Sequence, residues 1–548
     1  MPCIGSFANV CKATPVNPPP PFMSTPTQIT RQVRRTQARQ SPRQQAQQLT
    51  EQILTEATVK KAAATAAAQI TSAHLSDDEL QDWRQDMEAR LTRIVQNQEQ
   101  DLGHVEEELA RCAKEPLRLL AERAAQAKAN ATVCQCIHGH GPLTQHKYLA
   151  RGVDSRFGRM TIWRGYGWCE RCAQWQFPAD HALGLGRQAP ASPYLQELSA
   201  LLVSKMPPEQ AVAVAERLGL DLSRCFLDRE AHRQGLKAQE QRAQAVAELE
   251  SWEKIQGLAR YSEGPPPQPF TLIIEIDAWN IRERDDWGQS EALRKAGQKP
   301  ERWHWVYLAT VFRLDQRGQT AGERAVITER GFVATRQGLE ALIAQLYREA
   351  IARGLGQAQQ VLVIADGALW IWHLVKDRFP QARQRLDLYH GEEHLWAVAN
   401  DLYGKGTPEA RAWVAPLLEK VHEDQTCALI ASLKELQPRL QQAQQEKLQT
   451  QIDYFENNEH RMKYKAIIDA RKARDNGTAT EQQLQLANQP LGSGAVESTC
   501  RQYQCRFKRT GQFWTTDGDE ALLCLETFWR NHRWHELYPH AKSSCALN

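Results

Sequence analysis

No stretch of this 548-residue sequence is apolar over the length of a membrane span, so no helical span is expected. A basic region followed by an apolar core is missing from the opening, so no secretory signal is expected either. The 13 cysteines then read as reduced thiols or metal ligands in a cytoplasmic protein, not as disulfides. Net charge is slight, +3, and says little about partners. Its distribution says more. Acids are absent from Gln28 to Gln48, where Arg31, Arg34, Arg35, Arg39 and Arg43 recur, and again over Arg501, Arg506, Lys508 and Arg509. Such runs attract phosphate, although a solvated face is the commoner explanation of any one of them. Glycine and proline almost vanish between residues 44 and 130, where Gly103 and Pro116 stand alone among Ala, Gln, Glu, Leu and Arg. That is helical composition, and Leu80, Met87, Leu91 and Ile94 mark one apolar face.

What is present suits a chain with real cores: 42% hydrophobic residues, 16 tryptophans and length for two to four domains. Residues 1–48 are expected to be a disordered basic arm, with Met23, after the Pro-rich opening, as an alternative start. A helical region follows over 49–130. Texture changes at about 131. Cys134-Gln-Cys136, with His138 and His140 behind it, is answered by Cys169-Glu-Arg-Cys172 beyond a strand-like segment. Zinc takes four soft or borderline donors, and a C-x2-C knuckle supplies two of them. Cys169 and Cys172 fit that spacing. Cys134 and Cys136 are tighter than an ordinary knuckle, so a histidine can replace one of the two. Residues 131–190 therefore read as a zinc-ribbon-like β segment holding structural Zn2+ on Cys134, Cys136, Cys169 and Cys172, two unrelated cysteine pairs being the plain alternative.

Residues 191–262 read as helical. Met206 to Arg229 has the pattern of a helix, a turn at Gly219 and a second helix capped by Ser223, which is that of a helix-turn-helix. Ser223 and Arg224 are its candidate DNA contacts, though helical hairpins with a Gly turn are common. Gly264-Pro-Pro-Pro-Gln-Pro, within 263–269, is a stiff linker.

The chain is organised around Val361-Leu-Val-Ile-Ala-Asp366-Gly, a short apolar run entering an acid and a glycine. It reads as a strand buried on both faces, with Asp366 at its carboxyl end, where open α/β sheets place their chemistry; as a bare helix cap, Asp366 would be ordinary. Strands are also expected over Phe270–Asp277, from His304, and over Arg324–Val333. A helix over Gly338–Arg353, the strand to Asp366, a helix and a strand ending at His390 complete the order β-β-β-α-β-α-β. A right-handed crossover then returns the fourth strand beside the first, so that Asp277 and Asp366 adjoin. Neighbouring carboxylates repel unless a cation sits between them, and hard oxygens suit Mg2+ or Mn2+. Glu497, in a helix opened by Gly492 and Gly494, is the candidate third ligand of a site for two such ions. Glu275 is a rival ligand, and Asp285 and Asp286 look like loop acids. Trp370, Trp372 and Trp396 suit core packing better than stacking on a flipped base. Tyr503 and Phe507, interleaved with the basic run at 501–509, would face DNA.

IEIDAW with Asp277, VIADGALWIW with Asp366, LDLYH with Asp387 and His390, and GSGAVES with Glu497 together resemble the DDE transposases of bacterial insertion sequences, of the ISKra type, and more loosely the Mutator-like group. The resemblance implies an α/β RNase H-like catalytic core, split into 270–390 and a Glu-bearing helix at 490–535. Between them lies an all-helical insertion, 391–489, and a tail, 536–548, follows. It implies Asp277, Asp366 and Glu497 as catalytic ligands of two Mg2+ or Mn2+ ions, with His390 and Asp387 in support. The activity implied is cleavage of DNA at element ends and transfer into target DNA, with terminal inverted repeats and target DNA as partners and a dimer or larger assembly on DNA. A DNA-binding regulator with an idle core, and a metal nuclease without strand joining, are the other readings.

Overall fold

The structure, a computed structural model, describes residues 77–97, 100–186, 189–256, 269–284, 289–298, 302–319 and 325–539. The basic arm, Met23, most of the Pro-rich linker, Asp285 and Asp286 lie outside the described residues. The chain divides into two compact units. Among the described residues one comprises 77–82, Arg123–Arg151 and Trp163–Ala179, the other Trp83–Glu122, Gly152–Ile162 and 180–539.

Helices α1 (Asp77–Gln96) and α2 (Leu102–Ala131) lead to a three-stranded sheet of β1 (Thr144–Ser155), β2 (Gly158–Cys169) and β3 (Gln174–Gln176) in that order. Its apolar knot in the first unit is small: Cys136, Leu143 and Cys169 are buried, with Cys134 and Cys172 against them.

The second unit holds a five-stranded mixed sheet. Its strands are β4 (Thr271–Arg282), β5 (Trp303–Arg313), β8 (Gly331–Thr335), β9 (Gln360–Ala365) and β10 (Arg383–Leu386), while β6 (Arg317–Gln319) and β7 (Ala325–Ile327) form a separate hairpin. The order is β10-β9-β4-β5-β8; β10, β9 and β4 run parallel, and β5 is antiparallel to both β4 and β8. The single strand expected over 324–333 is thus two. Arg330 ends the break between them, and its guanidinium donates to Ala495 O at 3.0 Å and Thr499 Oγ1 at 3.2 Å.

Apolar residues on both parities of the central strands bury both sheet faces. Leu272, Ile274, Ile276, Val363 and Ala365 pack on α6 (Leu339–Ala352) and α7 (Leu369–Arg378). Ile273, Trp279, Ile281, Val306 and Leu308 turn to the other side. Each such Val, Leu or Ile side chain contributes about 1.5–3 kcal/mol by leaving water.

Helices α3 (Pro193–Lys205), α4 (Pro208–Arg217) and α5 (Arg224–Gln256) precede the sheet. Gly219 makes the turn at φ +73°, and Ser223 Oγ accepts the N–H of Phe226 at 3.2 Å, as a cap. The second helix is a 33-residue strut that packs along α3 and a C-terminal helix, however, and is no short recognition helix. Gly235 permits that packing, since a Cβ there would meet Ala521 at 2.5 Å.

Residues after β10 are helical: α8 (Leu388–Tyr403), α9 (Pro408–His422), α10 (Thr426–Leu436), α11 (Gln442–Asn458), α12 (Lys465–Asp475) and α13 (Glu481–Ala487). Their apolar faces continue the core of the first sheet face through Leu395, Val414, Leu429, Ile452 and Phe455. In place of one helix over 490–535 there are two, α14 (Gly494–Phe507) and α15 (Thr516–Arg530). Leu537 and Tyr538 are buried in the core around α14 and α15, so the chain beyond 535 is not a tail until at least 539.

Candidate active site

The register of the sheet sets two acids side by side. β4 and β9 run parallel with Ile276 opposite Ala365, so Asp277 and Asp366 occupy the next position on each chain. β4 does not end there. It continues to Arg282 against β5, because Trp279 and Ile281 keep the alternation and bury with Val306. Asp366 follows β9 directly and accepts the N–H of Ala368 at 3.0 Å; Ala368, not Asp366, is the N-cap of α7. Tyr454, from α11, closes over this turn so tightly that a Cβ at Gly367 would collide with its ring.

The third acid arrives on α14, which crosses β4 on the face opposite α6 and α7. Val496 N donates to Glu275 at 2.8 Å, and Cys500 Sγ donates to Asp277 Oδ2 at 3.2 Å. Glu275 and Asp277 point to one side of β4, so successive turns of α14 meet successive acids, with Glu497 between them in the first turn. Glu275 is buried and bound to the helix start, which makes it a support of α14 and not an exposed ligand.

Asp387 holds the same helix start from the other side. Its Oδ2 accepts both Ser493 N (2.7 Å) and Ser493 Oγ (2.5 Å), and its Oδ1 accepts Tyr389 N (2.8 Å) and His390 N (3.1 Å). It is the N-cap of α8, so the expected strand to His390 stops at Leu386 and His390 lies in the first helical turn. Gly492 allows this approach, since a Cβ would meet Tyr389 at 2.6 Å and Asp387 at 2.9 Å; Gly494 faces open space and serves no such need.

Charge is crowded here. Burial, and then Asp366, raises the Asp277 carboxyl above its ordinary range. Burial and Asp387 raise Asp366, and the His390 ring eases both. Burial, Asp387, Asp277 and Glu393 raise Glu497, against the pull of Arg501. Burial pushes Glu275 up to about 8. The acids influence one another, yet they do not form a ligand cluster as tight as the sulfur site described next. Oxygen donors that repel one another suit a hard divalent cation such as Mg2+ or Mn2+.

Among the described residues the compact ligand group is Cys136, His140, Cys169 and Cys172, with all four donor atoms within 4.8 Å of one another. His140 Nδ1 lies 3.1 Å from Cys172 Sγ and 3.6 Å from Cys136 Sγ. Cys134, expected as a ligand, is replaced by His140. Turns at Gly139 (φ +76°) and Gly141 (φ +100°) bring that ring back onto the knuckle, while Cys134 packs beside it. Three thiols and an imidazole fit tetrahedral Zn2+.

The basic run divides. Arg501, Lys508 and Arg509 are exposed, Arg501 within 3.9 Å of Glu497. Arg506 is buried, donating to Val203 O at 2.6 and 3.2 Å, so it serves the core and not DNA. Tyr503 and Phe507 are buried beside it and face no solvent. Ser223 and Arg224 are exposed, Arg224 paired to Glu209 at 3.0 Å. Trp372 is buried, Trp370 and Trp396 partly so. Sequence reasoning missed Tyr454 and Cys500; the thiol was legible as the residue one turn after Glu497, whereas nothing marked Tyr454. No helix among the described residues is long and apolar enough to cross a membrane.

No family model matches the sequence, and no curated protein does. Among solved structures the chain is similar to the Drosophila P element transposase strand transfer complex, with 11% identity over 62% of this chain and 79% of that one, at a TM-score of 0.18. A superposition that loose carries no argument for this chain.

Proposed function

We propose that the protein is a DDE-type transposase, of the kind found in bacterial insertion sequences, acting on DNA by metal-dependent phosphoryl transfer. One observation carries the reading. Asp277 and Asp366 are adjacent by strand register, and Glu497 lies on a helix that crosses the strand of Asp277 and that two other acids, Glu275 and Asp387, hold in place. The reading takes the sheet as an RNase H-like core and residues 391–489 as its insertion. Asp277, Asp366 and Glu497 would hold Mg2+ or Mn2+, with His390 nearby to offset charge. Bound as a pair, such ions activate the attacking oxygen and stabilise the leaving one. The chain's own share is to bring together carboxylates that repel one another, Glu497 by way of the buried hydrogen bonds that hold the start of α14 without any ion. Cys136, His140, Cys169 and Cys172 would hold a structural Zn2+. Terminal inverted repeats and target DNA would be the partners, engaged by a dimer or larger assembly, since two ends must be held at once.

The test is cleavage of labelled DNA carrying the gene's flanking sequences, with Mg2+ or Mn2+, beside Asp366→Asn. Nicking at a repeat end that the variant loses while still binding that end supports the reading. Binding without cleavage by either protein would replace it with a DNA-binding regulator. Cleavage without joined product would leave a nuclease.

A further inference from the structure

Beyond the sheet proper, β4 and β5 run on as a two-stranded ribbon. Pairing to β9 stops at Ile276 and pairing to β8 at Tyr307, whereas β4 and β5 stay paired to Arg282 opposite Trp303. One face of the ribbon is buried through Trp279, Ile281 and Val306. The other carries Trp303 and Trp305, 51% and 50% exposed, opposite Arg282 and Asn280. Burial is what large aromatic side chains ordinarily gain from folding, and two half-exposed tryptophans two residues apart on one strand face run against that. The stripe continues inward: Tyr307, next on this face, meets Trp370 edge-on at 5.3 Å, and Trp370 begins the helix that follows Asp366.

Among the described residues, cations lie against the Trp303 ring. Arg282 lies 5.9 Å from the Trp303 ring centre and Lys508 Nζ 5.7 Å from it. Arg284 packs on Phe513 at 3.0 Å, and Arg282 and Arg302 stand close enough to lower its basicity, after the effect of its own desolvation. A polyanion relieves such crowding. The ring faces need a flat apolar partner as well, and a base offers one only when it is unpaired.

We propose that Trp303 and Trp305, flanked by Arg282 and Lys508, form a stacking platform for unpaired nucleotides of single-stranded DNA. Its assignment to DNA rather than RNA rests on the transposase reading; the stacking geometry does not. Arg282 lies five positions along β4 from Asp277, about 17 Å at the usual rise, roughly five stacked nucleotides at 3.4 Å each. The odd spacing sets the Asp277 carboxylate on the α14 side of the ribbon and the two rings on the other. A DNA strand therefore reaches the rings around the β4 edge, which β9 leaves past Ile276. Strand ends opened near the carboxylates would be held apart on this ribbon.

The test is anisotropy of a labelled single-stranded oligonucleotide and of its duplex, in EDTA, with the full chain. Trp303→Ala/Trp305→Ala is expected to bind the single strand about tenfold or more weakly, to leave duplex binding nearly unchanged, and to regain affinity as Trp303→Phe/Trp305→Phe. Unchanged single-strand affinity, or equal loss on duplex, overturns the proposal. So does sedimentation showing that the alanine variant loses self-association while single-strand affinity persists, for then a second copy covers the face. Platform and transposase readings separate in the cleavage assay. Metal-dependent cleavage with no stacking defect sinks the platform alone, and a stacking defect without cleavage by the unmodified protein sinks the transposase reading alone.

Discussion

The buried carboxyl of Glu275 accepts the N–H of Val496 at 2.8 Å, one residue before Glu497, and so ties the first core strand to a helix start 221 residues away. Burial raises this acid from its ordinary 4.5 to about 8, although the Val496 N–H and Arg330 pull the other way. The folded protein therefore holds a proton that the unfolded chain releases above 4.5. Native-state proton binding exceeds that of the unfolded state between about 4.5 and 8, so stability falls as pH rises through this window. The limiting slope from this one group is about 1.4 kcal/mol per pH unit. Urea midpoints from mildly acid to mildly alkaline pH should fall more gently in Glu275→Gln. Parallel curves for the two proteins would refute the assignment.

Asp387 makes four short hydrogen bonds, two to Ser493 and two to the start of α8. Removing one partner leaves a buried donor unsatisfied at about 1–3 kcal/mol each. Asp387→Ala is expected to lower stability by roughly 3 kcal/mol or more, since the two bonds at Ser493 are buried. Asp387→Asn, which keeps an acceptor, should fold well yet place Glu497 less firmly. Thermal melts beside DNA cleavage separate the two effects, and wild-type behaviour in both variants would show that α14 is held without Asp387.

Much of this arrangement is written locally. The β-branched run ending in Asp366-Gly367 forms a strand that turns at the acid, and the return beside β4 follows from crossover handedness. Other features depend on distant partners. β4 continues past Asp277 because Trp279 and Ile281 find Val306 and α14, which an Ala-Trp break does not disclose. Residues 325–335 divide into two strands, with Arg330 between them turned to hold a helix. Arg506 was legible but overlooked: Val496, Cys500, Tyr503 and Phe507 recur at three and four, and Arg506 falls on that buried face beside Tyr503 and Phe507. Charge alone suggested solvent there.

The sulfur site gives a sharp contrast between two residues six apart. His140 Nδ1 sits within 3.8 Å of the sulfurs of Cys136, Cys169 and Cys172, while Cys134 stands outside the cluster. His140→Ala should lose bound zinc or hold it far more weakly, and Cys134→Ala should retain a full equivalent. Metal content after dialysis against a chelator decides it. Zinc lost from Cys134→Ala and kept by His140→Ala would restore the tighter cysteine pair as the ligands.

The basic run after Glu497 should split in the same way. Arg506 is enclosed, its guanidinium on Val203 O and 5.1 Å from the Trp514 ring, so Arg506→Ala leaves a buried carbonyl unpaired and a gap beside the ring. A loss of about 1–3 kcal/mol follows, with no change in how DNA affinity depends on salt. Lys508 and Arg509 are exposed just past the end of α14. If both touch phosphate, Lys508→Ala/Arg509→Ala keeps its stability but flattens the plot of log affinity against log salt, by about 0.9 for each duplex phosphate no longer neutralised. Urea melts and a salt titration of binding measure the two arms independently. An unaltered salt slope would return those two cations to the status of a solvated helix end, leaving Arg501, beside Glu497, as the remaining phosphate ligand to test in this run.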